Sequence, residues 1–265
     1  MSEFRILDYN YAFDPSVTIT ATSEDSNFPA SNLARYSRSR VWRSSSVATA
    51  QRVVFDLKTA EEIDSFAILF NPIQGEGVKL SDTATVKLQA NATDSWASPA
   101  LEVTLSVDDT YGVITHFFSA PESYRYWAVE ITDTGNAYGY IEIAKVILAK
   151  ATQLGQTPEI GFVDSLDDQS KVTETPYGHR YADVYPTRRG FEFDYAAMTE
   201  GDIEALQSIF RRVGAVTPIA LALDPTATLF DRERFFLYGY LDDKFQSKNR
   251  FYSYFDSGLK LVEAM

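Results

Sequence analysis

The sequence predicts a mainly β protein. An amino-terminal β-sandwich or jelly roll spans residues 1–150, a linker spans 151–158, and a smaller α+β domain with one helix on an antiparallel sheet spans 159–265. Three observations predict this. Short β-prone runs separated by turn formers recur through the first 150 residues without helical periodicity. Aromatic residues make up 14%, with 16 Tyr and 18 Phe, which favours strands and supplies packed cores. A capped amphipathic helical pattern then appears near residue 200, and 265 residues suffice for two ordinary domains.

In chain order, Phe4–Leu7 and Val17–Thr22 read as leading strands separated by Asp14-Pro15. Residues 26–44 then form a non-regular plug, with Phe28 and Leu33 bracketing a turn at Pro29, and Asn27, Ser31 and Asn32 able to bond free backbone groups. Such a segment can be buried only if its backbone groups are satisfied. Val53–Leu57 and Ile63–Phe70 read as two strands, the second ended by Asn71-Pro72. A loop with Gly75 and Gly77 leads to Thr85–Ala90, which alternates as a half-buried strand does. Leu101–Val107, Thr115–Phe118, Tyr126–Ile131 and Ile141–Leu148 complete the sandwich.

After the linker, a polar, turn-rich arm spans 164–187 with Pro176, Gly178 and Pro186. It is too long for an ordinary connection and reads as a functional loop or an intersubunit strap ordered on assembly. Gly190–Tyr195 alternates Phe191, Phe193 and Tyr195 with acids. Thr199 caps a helix, Asp202 completes a near capping box, and Met198 with Ile203 forms the staple. Ile203, Leu206, Ile209, Phe210 and Val213 share one face, Arg211 and Arg212 suit the carboxyl end, and Gly214 ends it. Strands follow at Pro218–Leu223, Arg234–Leu241, Arg250–Tyr254 and Leu259–Val262.

The formal charge is −13, with 12 basic and 19 acidic residues up to 150 and 12 and 18 beyond, which disfavours a nucleic-acid module in either half. No cysteine is present, which excludes disulfides, thiol catalysis and cysteine-ligated zinc. No apolar run approaches the roughly 20 residues of a membrane helix. The amino terminus lacks a signal pattern, so synthesis and folding in the cytoplasm are expected.

Phe28-Pro29-Ala30-Ser31-Asn32-Leu33 followed by Trp42, then Val53–Leu57, Tyr124–Ile131 and Ile141–Val146, resembles a discoidin-like, galactose-binding-type jelly roll, in particular those of bacteriophage tail proteins. The resemblance covers residues 20 to 150. The strand at Phe191, the Met198-Thr199-Glu200 helix start and Tyr238-Gly239-Tyr240 are similar to structural domains of phage tail-tip proteins. The resemblance implies a structural component of a tail tip or baseplate, a minor or distal tail protein. Such a protein is made in the host cytoplasm, resides in the virion, and assembles as a homo-oligomeric ring with tail tube, hub and tape-measure partners. The alternative is a carbohydrate-binding module that recognises host-surface glycan. Its glycan contacts would be the loop aromatics Trp96, Tyr111, Tyr138 and Tyr140, whose other reading is as caps of the core.

Arg35, Arg38, Arg40 and Arg43 could hold phosphate, but in so acidic a chain they read better as partners of carboxylates in the same chain or a neighbouring subunit. His179 and Arg180, in the arm, are further candidates for intersubunit contact. His179 beside Asp183 would make a conceivable base, yet a solvated loop histidine is the simpler reading, and His116 reads as structural. Asp108 with Asp109, or Asp167 with Asp168, are adjacent on one loop and do not face each other across a substrate as glycosidase pairs must. No catalytic residue, cofactor or enzyme activity is assigned. Jelly rolls of this type often hold calcium, and Asp82, Asp94 and Asp133 could contribute ligands, but no ligand set follows and no metal is assigned. Asn91-Ala92-Thr93 fits a glycosylation sequon, read here as chance. Neither nucleic-acid binding nor membrane insertion is expected.

Overall fold

A computed structural model describes residues 4–70, 80–107, 110–155, 158, 161–241 and 244–265. Two compact units are present. Of the described residues, the first holds 4–70, 80–107, 110–153 and 221–236, and the second holds those of 154–220 and 237–265. The turns read at Asn71-Pro72 and at Gly75 and Gly77 lie outside the described residues, as do Asp108 and Asp109.

The first unit is an antiparallel β-sandwich. Its main sheet runs Thr18–Ala21, Gln51–Leu69, Val113–Thr132, Thr85–Asn91, Leu101–Leu105, and Lys145–Ala149 pairs with Gln51–Leu69. Two of these strands are much longer than the sequence predicts. The runs read as separate strands at Val53–Leu57 and Ile63–Phe70 belong to one strand, Gln51–Leu69, paired along its length with Val113–Thr132. The break between them survives as register shifts at Asp56/Glu61 and Ile63/Ser65, beside Lys58 with φ 71°. The outer edges of the two long strands have different neighbours: the first half of Gln51–Leu69 meets Thr18–Ala21 and its second half meets Lys145–Ala149, while the second half of Val113–Thr132 meets Thr85–Asn91. Val53, Phe55, Phe66, Ile68, Leu88, Ile114, Trp127, Val129, Val146 and Leu148 from these strands meet in one buried core.

The second unit is α+β. Val163–Asp168, Thr187–Met198, Tyr254–Glu263 and Phe236–Leu241 lie side by side in that order, and Ser247–Phe251 also pairs with Tyr254–Glu263. Helix Glu200–Val213 starts and stops where its residues dictate. The Thr199 side chain accepts from the Asp202 amide, the Asp202 carboxylate accepts from the Thr199 amide, and Gly214 caps the end at φ 54°. Ile203, Leu206, Ile209 and Val213 are buried along one face. Asp202 has a second task, because its carboxylate also accepts from the Gly155 amide at 2.7 Å.

Two features of this half differ from the sequence reading. The arm at 164–187 is strand rather than irregular loop. Val163–Asp168 pairs with Thr187–Glu192, and Lys171–Glu174 pairs with Arg180–Asp183 around a turn at Gly178, φ 80°. Every residue of Lys171–Glu174 and Arg180–Asp183 is exposed, so neither face needs apolar side chains and the alternation that betrays a half-buried strand is missing. A short helix, Leu229–Arg234, also precedes the strand expected from Arg234, and its segment groups with the first unit. Among the described residues, no helix is long and apolar enough to cross a membrane.

Candidate functional site

The candidate site grows out of the plug. Its middle is a 3-10 helix, Ala30–Ala34, that buries Ala30 and Leu33, and beyond it Trp42 is 0% exposed. The backbone conditions for burying such a segment are met one by one. The Phe28 amide donates to the Asp25 carbonyl, and the Asp25 and Arg43 amides donate to the carbonyls of Arg43 and Phe28. The Ala30 amide donates to Glu24, and Asn32 Nδ2 donates to the Val41 carbonyl. Trp42 Nε1 reaches the Ser23 carbonyl at 3.2 Å. Lys145, fully buried, donates to the carbonyls of Asn32 at 3.2 Å and Arg40 at 2.8 Å. Burial, reinforced by the Arg38 charge, pushes the Lys145 ammonium down to about 7.

Trp42–Arg43 pairs with Glu142–Ile143, which turns Trp42 and Ile143 into the core and sets Arg43 beside Glu142. The Arg43 guanidinium bonds Glu142 Oε2 through Nε at 3.1 Å and Nη2 at 2.6 Å. It also lies between two rings, 4.2 Å from the Phe28 centroid and 4.1 Å from that of Tyr140. The Tyr138 ring is 6.1 Å from Tyr140 and 52% exposed. The loop that carries both is anchored from below. Asp133, buried, accepts from Ser81 and from Asn136 Nδ2, and Asn136 Oδ1 accepts from the Tyr138 amide. Gly139, at φ 73°, supplies a left-handed turn that a residue with a side chain resists. Phe28, Arg43, Tyr138 and Tyr140 thus form a held aromatic surface with a guanidinium in its middle. Glu142 balances that charge, and Nη1 has no partner among the described residues. Such a surface can stack on the apolar face of a sugar ring while Nη1 donates to a hydroxyl or ring oxygen.

The sequence-predicted residues divide accordingly. Tyr138, Tyr140 and Arg43 are brought together. Trp96 has other neighbours: its Nε1 donates to Asp94 at 2.7 Å, and its ring stands over the Arg52 guanidinium at 5.6 Å, beside the Arg52–Glu130 ion pair. Tyr111 packs on Phe230, ring centroids 5.3 Å apart. Arg38 is 4% exposed and donates to the Phe70 carbonyl, so it offers no surface to another subunit. Arg35 and Arg40 are exposed. His179 and Arg180 lie on the exposed ribbon, with Arg180 opposite Glu174. His116 packs against Phe118 at 4.6 Å, and burial lowers its pKa. Among the described residues, no group of acidic and histidine side chains is arranged to hold a metal. Asp133, named above as a possible calcium ligand, is instead a hydrogen-bond hub, and Asp94 holds Trp96. Sequence reasoning missed Phe28 and Glu142 as site members and Lys145 as the plug's anchor. The alternation of Ile141, Glu142 and Ile143 marks Glu142 as facing away from the core, but its partner depends on a strand pairing 99 residues distant.

No family model and no curated protein matches this chain. Several solved structures are similar in fold. The family 32 carbohydrate-binding module of Clostridium perfringens NanJ, solved with galactose, is 19% identical, with 56% of this chain and 99% of that chain covered and a TM-score of 0.42. Chitosan-binding module 1 of a chitosanase/glucanase from Paenibacillus sp. IK-5 is 19% identical over 54% of this chain and 98% of its own, TM-score 0.41. The lectin domain of lectinolysin, complexed with Lewis B antigen, is 14% identical over 54% and 98%, TM-score 0.44.

Proposed function

We propose that the first unit is a carbohydrate-binding module whose contact surface is Phe28, Arg43, Tyr138 and Tyr140. The observation that carries this reading is the guanidinium of Arg43 clamped between two rings beside the half-exposed Tyr138. Aromatic faces complement the C–H faces of sugars, and a planar donor already fixed by Glu142 loses little entropy on binding. The proposed action is binding alone, with no bond made or broken. A glycan array tests it. Wild type is expected to retain a defined set of glycans, Tyr138→Ala to lose them at least tenfold, and Trp96→Ala to retain them. Failure to retain any glycan, or equal retention by Tyr138→Ala, overturns the reading.

A second reading is favoured by the ribbon. Lys171–Glu174 and Arg180–Asp183 are exposed throughout, with Tyr177 at their tip 90% exposed. A two-stranded ribbon is marginal by itself and gains from being covered. The ribbon suits contact with another protein, and with the sequence resemblance we propose as the second reading a structural subunit of a phage or prophage-derived tail tip or baseplate, a homo-oligomeric ring in the virion with tube, hub and tape-measure neighbours. His179 and Arg180 on the ribbon, with exposed Arg35 and Arg40, would contact those neighbours. The two readings are compatible if the module reads a host-surface glycan. A protein that stays monomeric at high concentration in light scattering, and is absent from purified particles by mass spectrometry, rules the second one out.

A further inference from the structure

A second aromatic cluster lies in the first unit. Tyr9, Tyr11 and Phe13 belong to the 3-10 turn Tyr11–Phe13 and its lead-in, and Tyr36 follows the plug's own 3-10 helix. Phe13 and Tyr36 pack nearly perpendicular, centroids 5.3 Å apart, and Tyr9 and Tyr11 do the same at 5.1 Å. Tyr36 is 41% exposed and Tyr9 38%. The Tyr9 hydroxyl donates to Asp14 Oδ2 at 2.6 Å, and Asp14 Oδ1 accepts from the amide and hydroxyl of Ser16. The Tyr9 ring is therefore held next to a carboxylate and a hydroxyl, the polar groups that a sugar's hydroxyls require.

Phe28 and Tyr36 stand at opposite ends of the plug helix, whose five residues, Ala30–Ala34, span about 10 Å at the 3-10 rise. Ser31 and Arg35, both exposed, supply a hydroxyl and a guanidinium along the way. We infer that Tyr36, with Phe13 and Tyr9, forms a second sugar platform, so that the ligand is an oligosaccharide lying along the plug rather than a single terminal sugar. This rests on the carbohydrate-binding reading and deepens it. The first platform, around Tyr138, holds one end of the chain, and the second, around Tyr36, holds units further along.

The test compares an oligosaccharide with its parts. The best oligosaccharide from an array of defined mono- and oligosaccharides, and its constituent monosaccharides, are titrated calorimetrically into wild type, Tyr36→Ala, Tyr36→Phe and Tyr138→Ala, with thermal melts confirming folding. Tyr36→Ala is expected to weaken the oligosaccharide about tenfold and to leave the monosaccharide bound at the Tyr138 platform unchanged. Tyr36→Phe keeps the ring and is expected to bind as wild type does. Tyr138→Ala weakens both ligands. If Tyr36→Ala binds the oligosaccharide as tightly as wild type while Tyr138→Ala does not, the second platform is refuted and the module reading stands. If length brings no gain in affinity over the monosaccharide, the second platform is likewise refuted. If Tyr138→Ala has no effect, or nothing binds, both fall together.

Discussion

The plug at 26–44 and the ribbon at 163–187 are the two stretches that look least regular in the sequence, and they resolve in opposite ways. Both are polar and rich in turn formers. The plug is buried because it carries a few large apolar side chains, Leu33 and Trp42 above all, and because Lys145, Asn32 and Glu24 satisfy its backbone from the side. The ribbon satisfies its backbone mainly by strand pairing, with its own side chains at the turns, as Ser170 does for the Tyr185 amide and Thr175 for the His179 amide, so it needs no core and makes none. Irregular composition thus has two physical solutions. One borrows side-chain partners and becomes part of the interior, and the other pairs with itself and stays outside.

Three variants sharpen this contrast, beginning with the largest effect. Trp42→Ala removes a fully buried indole and its bond to Ser23, and is expected to cost about 3–5 kcal/mol, read as a lowered denaturation midpoint. A loss below about 1 kcal/mol would mean that the plug is not part of the cooperative core.

The second concerns the charge under the plug. With its pKa lowered to about 7 in the folded chain against 10.5 in a free side chain, Lys145 binds its proton less readily when folded. Between about pH 7 and 10.5 the unfolded chain holds the extra proton, so this residue makes stability rise with pH across that window; below about 7 its full penalty is present. Lys145→Met removes the titration. The difference in melting temperature between variant and wild type should shift with pH from 6.5 to 9.5, increasingly in favour of wild type. Parallel melting curves for the two proteins would show that the buried ammonium is not coupled to folding.

The smallest effect belongs to the ribbon. Val172→Ser combined with Tyr181→Ser alters two exposed side chains that face each other's neighbours across the pairing, and is expected to change stability by no more than about 0.5 kcal/mol. Amide exchange in Lys171–Glu174 should be faster than in Val53–Leu57 in both proteins. Slow exchange there in the isolated protein would place the ribbon in the cooperative core and dissolve the contrast with the plug.

Much of this was legible in advance where the signal is local. The helix at Glu200–Val213 was readable to the residue, since Thr199, Asp202 and Gly214 act on their own turn and Ile203, Leu206, Ile209 and Val213 report a nearby sheet by their spacing. Strands that are wet on one face were readable for the same reason, Thr85–Asn91 being the clearest. The ribbon was not, because a strand exposed on both faces carries no alternation. Nor was the continuity of Gln51–Leu69, because a bulge near Lys58 reads locally as a turn.

The site shows the same limit more sharply. By itself the sequence determined that Tyr138 and Tyr140 flank a glycine in a loop, and that Arg43 follows a tryptophan destined for the core. Tertiary structure decided that these belong together, by pairing Trp42–Arg43 with Glu142–Ile143 and laying Phe28 over the guanidinium. It also decided that Arg38, of the same residue type and five positions away, is buried on a carbonyl. The physical reason is range. Propensity, caps and periodicity act over a turn or two of chain, whereas a guanidinium's neighbours are fixed by which strands pair across a hundred residues.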